Sequence, residues 1–421
     1  MGTQDAEPSV GRVVAGLIAG VFFGGVAGGV AFPTLPQLGV LLGISPFLVG
    51  LILSINRFAR LVMSTPAGVV IDATGNRRPM IVGFTVQALA PFGYTVALYA
   101  DQLPATAAQW FLASRIMWGL GSAFVFVGAF STLTHVTTPD NRGRWTGYMR
   151  GGQSLGFPSG LIVGGLFADF FSYAVAFLVA GGAGLFSAVV AFWLIPDVSP
   201  EVGGRLRLRE VPALVGNDRR VLTVGIVNFV VRFLYAGVLL STIVLYAGRH
   251  GIRIGSFSET GVSGFVMAVS VVFASITTVF VGRYSDRLEN RALVTVPALA
   301  LLAVGFLVLT LYPTLVGALV GVALVGVGVG GTNPPLLALL GDISPSDDVG
   351  KLGGVYNVFG DLGSTAGPLI ALPAAATIGY IGEYAASAGL VVLTAILVVL
   401  TLLGVRDGEK PDVEALPDDS S

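Results

Sequence analysis

The sequence predicts an all-α integral membrane protein of twelve transmembrane helices in two six-helix pseudo-repeat bundles. Three observations predict it: the chain is 54% hydrophobic and only 11% charged, its apolar residues fall in long runs, and a glycine pattern in one half returns in the other. An ordinary soluble chain is about 25% charged, so this one has too little polar surface to cover a water-soluble fold. A run of about 20 residues at 1.5 Å per residue crosses a hydrocarbon core of roughly 30 Å. Lipid leaves only helices and closed barrels able to satisfy every backbone amide, and the short alternating strands of a barrel are absent from the sequence.

Six runs come first, at residues 13–32, 47–70, 80–100, 109–134, 145–168 and 173–195. Six more lie at residues 221–247, 260–281, 292–311, 315–340, 352–377 and 384–405. Residues 1–12 read as a tail, and because Met1 to Gly11 lack a basic start and a small-residue cleavage site, the first run is expected to be a retained span. Residues 196–220, carrying Arg205, Arg207, Arg209, Arg219 and Arg220, form the hydrophilic linker between halves. Residues 406–421 are acidic and poor in apolar side chains, which predicts a disordered tail.

Orientation follows from loop arginines, which accumulate on the cytoplasmic side. Arg77 and Arg78, Arg142 and Arg144, the linker, and Arg283, Arg287 and Arg291 all fall at one end of the predicted bundle, whereas Arg249, His250 and Arg253 interrupt the pattern at the other. Both termini are therefore expected in the cytoplasm of a multi-pass cell-membrane protein.

Gly147, Gly156, Gly160, Gly164 and Gly165 lie within or beside the fifth run with the spacing G-x8-G-x3-G-x3-G-G. Gly354, Gly363, Gly367 and Pro368 repeat its first part 207 residues later, and Gly119 with Gly121 return as Gly326 with Gly328. Small residues let helix backbones approach closely in lipid, so these are predicted packing positions. Duplicated halves suit a carrier whose two bundles rock about a central site.

These residues resemble the major facilitator superfamily, and among its members the twelve-span drug and proton antiporters, over nearly the whole chain. Gly68-Val-Val-Ile-Asp72-Ala-Thr-Gly75-Asn-Arg77-Arg78 is similar to the family's gating signature, with Asn76 at a position that is basic in the family. A degenerate copy, Gly282-Arg-Tyr-Ser-Asp286-Arg287, ends at Arg291. Arg115, Gly119 and Gly121 resemble its R-x-x-x-G-x-G motif. The glycines of the fifth run are similar to the antiporter motif, although Leu161 stands where the family has proline and Pro158 is nearby. The resemblance implies a central cavity lined by spans one, four, seven and ten, an inner gate latched by Asp72, and span two of one half beside span eleven of the other.

Charge inside lipid costs roughly 2.5–3.5 kcal/mol per residue on insertion scales, so intramembrane charges mark function. Arg57 and Arg60 share a face of the second run; Arg115, Arg150 and Arg232 lie in the fourth, fifth and seventh, and Asp361 is the one acid near mid-membrane. At the repeat offsets they fall opposite Val271, Ala274, Val322, Asn357, Gly25 and Ser154: the glycines repeat, the charges do not. The surplus of arginine predicts attraction for an anionic or amphipathic acidic solute. If span two lies beside span eleven, Arg60 or Arg57 meets Asp361, which is the candidate for proton coupling; Asn56, Asn228, Tyr235 and Asn357 are candidate polar additions. The alternative role for the arginines is structural, bonding backbone carbonyls or reaching for the membrane surface. The first run carries no acid, which counts against cationic drugs.

With no cysteine and two histidines, thiolate catalysis, disulfides and a histidine metal cluster are excluded, and HExxH or a G-x-S-x-G serine with a plausible histidine is missing. The expectation is a monomeric, cofactor-free secondary transporter of a small organic solute, driven by protons, with lipid and no nucleic acid as its surroundings. An uptake carrier for an organic anion, or a sensor that keeps the fold without moving solute, is the alternative.

Overall fold

The computed structural model describes residues 10–196, 218–288, 290–343 and 349–403. Most of the predicted N-terminal tail, the linker arginines Arg205, Arg207 and Arg209, and the predicted acidic tail lie outside the described residues, as does the side chain of Arg142. The described residues form an all-helical protein: α1 (Val10–Gly29), α2 (Ala31–Leu41), α3 (Pro46–Thr74), α4 (Arg77–Ala97), α5 (Ala107–Val136), α6 (Pro139–Phe170) and α7 (Tyr173–Leu194). The second half holds α8 (Arg219–Arg232), a π segment Phe233–Leu239, α9 (Leu240–Arg249), α10 (Glu259–Ser285), α11 (Ala292–Leu311), α12 (Leu315–Asp342) and α13 (Val349–Val398).

Among the described residues, ten helical stretches are long and apolar enough to cross a membrane. The first is α1 with α2, Val10–Leu41, nine residues longer at its far end than the predicted span. The reason is local: the helix breaks at Val30 and restarts, which puts Pro33 in the first turn of α2, where a missing N–H is tolerated, and leaves only Pro36 inside. α6 is not one of the ten; Arg150, Gln153, Ser154, Ser159 and its glycines dilute it. The predicted gap between the last two runs is a kink within α13 at Gly379, whose φ of 74° suits glycine alone.

Helix starts are set by side-chain caps, which satisfy amides that the helix itself cannot. Ser45 caps α3, Ser172 caps α7, Thr314 caps α12, and Thr106 with Gln109 makes a reciprocal box at α5. The helices alternate in direction, so the α3–α4 turn, the α5–α6 turn, the α10–α11 turn and the end of α12 gather at one basic end. There Arg144 lies over the rings of Trp145 and Tyr148, 5.4 and 5.6 Å from their centroids, an arrangement suited to a membrane interface.

Glycine decides how the helices touch. A Cβ on Gly156 would sit 2.2 Å from the Phe22 carbonyl oxygen, and one on Gly160 2.2 Å from that of Val26, so α6 packs backbone to backbone on α1. The repeat does the same in the second half: Gly363 meets the Phe229 carbonyl at 2.2 Å and Gly367 meets Gly237 Cα at 2.3 Å. Gly164 lies against Val30. Gly147 is a correction: it lies on an exposed face of α6, where a Cβ meets nothing within 4 Å.

The halves join along two main seams, and α2 also packs on α9 and α10. α3 borders α13, with Gly50 against the Pro368 carbonyl, and α6 borders α10, with Gly165 facing Thr260 and Gly264 facing the Leu161 carbonyl.

Candidate functional site

The charged site is built along the α3–α13 seam. Arg57 and Arg60, one turn apart, face the second half. Arg60 Nη2 forms an ion pair with Asp361 Oδ1, and each side chain keeps about a quarter of its surface exposed (29% and 24%). Arg57 Nη1 donates to the Ser364 carbonyl at 3.4 Å, and its guanidinium lies 5.4 Å from the Phe32 ring centroid. Phe32 in turn meets Phe157 edge to face at 5.5 Å, while Arg60 lies 5.8 Å from the Phe126 centroid. Cations beside aromatic rings make a wall that can take both the charge and the hydrocarbon of an amphipathic acid.

Arg115 has a different role. It is 1% exposed, and it donates Nε to the Ile52 carbonyl (3.0 Å) and Nη2 to the Leu53 carbonyl (3.0 Å) and to Asn56 Oδ1 (2.8 Å). Gly119 explains the reach: one turn after Arg115, its missing Cβ lets α5 come against α3, since a Cβ would lie 2.3 Å from the Asn56 carbonyl. Arg115 and Asn56 thus tie α5 to α3 through these hydrogen bonds.

In the second half, Asn228 donates Nδ2 to the Tyr356 carbonyl at 2.6 Å, and Tyr356 donates its hydroxyl to Asn333 Oδ1 at 2.7 Å. Arg232, one turn beyond Asn228, lies beside Gly360, one residue before Asp361. The Tyr235 hydroxyl is 3.3 Å from Ser270 Oγ. The π segment begins directly after Arg232; such bulges are frequent at functional sites. The sequence pattern does not single out this segment, Asn333 or Tyr356, because their link to Asn228 is made only by tertiary contact. Among the described residues Arg57, Arg150 and Arg232 have no carboxylate partner. Arg150 and Asn357 are exposed and make no hydrogen bond or ion pair there, one turn toward the basic end from Ser154 and Asp361. The structure does not bring them to the Arg60–Asp361 contact.

The signature residues form the turn at the basic end. Gly75 has φ 80° and ψ 170°, a glycine conformation, and closes the turn between α3 and α4. Asn76 is fully buried and donates to Thr132 Oγ1, a place where a basic side chain would lack water. Arg77 Nη2 donates to the Phe192 carbonyl at 2.8 Å, covering the end of α7 where carbonyls lack partners. Gly68 is buried, Asp72 is half-buried in the last turn of α3, and Arg78 is exposed. In the second copy Arg291 bridges two acids, Asp286 at 2.6 Å and Asp342 at 2.8 Å; Arg287 is exposed and Gly282 only touches Pro334. Asp342, at the end of α12, is a member that the sequence pattern did not single out.

The sequence model described as Major Facilitator Superfamily matches residues 17–368 and 257–418, which together span nearly the whole chain. The chain belongs to the Major Facilitator Superfamily. It is a multi-pass membrane transporter and not an enzyme. It is 22% identical over 357 residues to multidrug resistance protein 1 of Bacillus subtilis, covering 84% of this chain and 87% of that one. It is 23% identical over 331 residues to an uncharacterized MFS-type transporter of Methanocaldococcus jannaschii, covering 77% and 81%. Its fold is similar to that of a bacterial homolog to the human lysosomal transporter Spinster in an inward-facing and occupied conformation, with a TM-score of 0.76 at 15% identity over 96% of this chain and 99% of that one.

Proposed function

We propose that this transporter is a proton-coupled exporter of small amphipathic organic acids, working by alternating access in the cell membrane as a monomer. Twelve spans complete the reading: α6 counts as a span despite its polar residues, and α13 counts as two that meet at Gly379. The basic end then faces the cytoplasm with both termini, and residues 13–195 and 221–405 are the rocking bundles.

The observation that carries the substrate class is the pairing of the one mid-membrane acid with Arg60 across the α3–α13 seam, which leaves Arg57 and Arg232 without an acid. A cavity with surplus guanidinium attracts an anion and repels a cation. Phe32 beside Arg57, with Phe157 edge-on to it, supplies an apolar wall. Protonation of Asp361 weakens its hold on Arg60 and loosens the seam, which gives a proton a way to bias the access equilibrium. Export rather than uptake is supported by the glycines of α6, which are similar to the antiporter motif, and by relatives that include multidrug resistance proteins. Those relatives also favour a second reading, a broad drug exporter.

The test is flux in proteoliposomes with an imposed proton gradient, comparing aromatic carboxylate dyes with cationic dyes. Uphill movement of the anions that collapses with the gradient, and that is lost in Asp361→Asn while downhill exchange persists, is the expected result. Transport of cations alone would sink the anion assignment, and full uphill transport by Asp361→Asn would sink the coupling assignment.

A further inference from the structure

The end of the molecule away from the arginine turns carries a contact that the charged site does not use. Asp169, half-buried in the last turn of α6, reaches across the second seam. Both of its oxygens accept the Ser258 amide, at 3.0 and 3.1 Å. Ser258 is the N-cap of α10, and its own side chain makes no capping hydrogen bond. Ser45, Ser172 and Thr314 do cap their own helices. The positive start of α10 is thus covered by a carboxylate from the other half. Gly261 makes room for it: a Cβ there would lie 2.8 Å from Asp169 Oδ2. The next acid, Glu259, is engaged elsewhere, with Arg253 at 3.2 Å. Two further contacts join the same halves at this point, the Tyr173 hydroxyl with Thr260 Oγ1 at 3.3 Å and the Phe170 ring with Phe257 at 5.4 Å.

Hydrogen bonds join the halves at mid-seam, through Arg57 and Arg60, and at this end. A carrier of this family must separate its halves here to expose the site to the far side. Each half is built from nested inverted three-helix repeats. That symmetry makes the end of α6 the mirror of the end of α3, where Asp72 stands, and the start of α10 the mirror of the start of α13.

We propose that Asp169 is the positioning residue of the outer gate: as a cap donated from one half to α10 of the other, it holds this end shut, and its release is the step that lets the end open. The cap is suited to a gate because it joins a charge to a helix dipole. It is strong when the seam is dry and is replaced by water when the seam parts, so it favours closure without making it irreversible.

The chain has no cysteine, so introduced ones are unique labels. Spin labels on Gln102→Cys and Tyr312→Cys, exposed on opposite halves at this end, report the gate directly in nanodiscs, with no substrate needed. Loss of an N-terminal cap is expected to raise the open-to-closed ratio by a factor of roughly five to thirty in Asp169→Ala. Asp169→Glu, which keeps the charge, should return most of the closed population. Closed populations unchanged in Asp169→Ala, or Glu and Ala variants that behave alike, would overturn the proposal. A second measurement does not depend on removing the cap. A Cβ built on Gly261 lies 3.3 Å from that of Asp169, near the roughly 3.5–4.5 Å span of a disulfide. The pair Asp169→Cys with Gly261→Cys is expected to cross-link under oxidation and to abolish the open population until it is reduced. Failure to cross-link, or an open population that survives cross-linking, would count against the latch whatever the transported solute proves to be.

Discussion

Five arginines that look alike in a hydropathy plot separate once their donors are followed. Arg115 spends its guanidinium on two carbonyls and an amide of α3, Arg60 on Asp361, and Arg57 on a single long contact to Ser364. The unspent donors of Arg57 can serve a ligand. Arg57→Gln is accordingly expected to raise KM for an organic anion at least tenfold while changing thermal unfolding in detergent little. Arg115→Gln should do the reverse, lowering stability by on the order of 2–3 kcal/mol through lost charged hydrogen bonds. A KM effect confined to Arg115→Gln would show that the roles are exchanged.

At the scale of the element, what matters is how near two backbones come. α6 lies on α1 and α13 on α8 because glycines stand where any side chain would strike a carbonyl. Gly156→Val and Gly363→Val should therefore each cost about 1–3 kcal/mol through overpacking. Gly147→Val, at a position with open space around it, should fall within roughly ±0.5 kcal/mol. Thermal unfolding of the three variants side by side checks this; an equal loss in all three would mean that the glycines act through chain entropy and not through contact. The same close approach positions chemistry, since Gly119 brings Arg115 within reach of α3.

For the whole molecule the two seams divide the labour. The α3–α13 seam holds the ion pair, with the rings of Phe32 and Phe157 beside it, and the α6–α10 seam, its pseudo-symmetric counterpart, holds glycines and the Asp169 cap. For Arg57, Arg60 and Asp361 the asymmetry of charge between the repeats is thus an asymmetry between seams. With the basic end in the cytoplasm, as proposed, the exposed position 357 should be reached by water from that side. A membrane-impermeant thiol reagent is expected to label Asn357→Cys from the cytoplasm and Leu41→Cys from outside. Labelling of Asn357→Cys only from outside would reverse the orientation.

The sequence by itself determined the membrane class, the helical spans to within a few residues for most of them, the repeat and the family. These follow from local quantities: run length against bilayer thickness, and glycine spacing against helical pitch. It also indicated that Arg60 or Arg57 would meet Asp361, once the resemblance put spans two and eleven together. Only the tertiary structure decided which arginine took the acid, that Arg115 bonds Asn56 and the carbonyls of α3, and that Arg150 and Asn357 stand away from the pair. It alone brought Asp169 to the start of α10 and Asp342 to Arg291, and it alone carried the first helix past Pro33 to Leu41. Hydrogen bonds and ion pairs between distant segments depend on rotation of a helix about its axis and on a few ångströms of separation, and neither is written in any one stretch of chain.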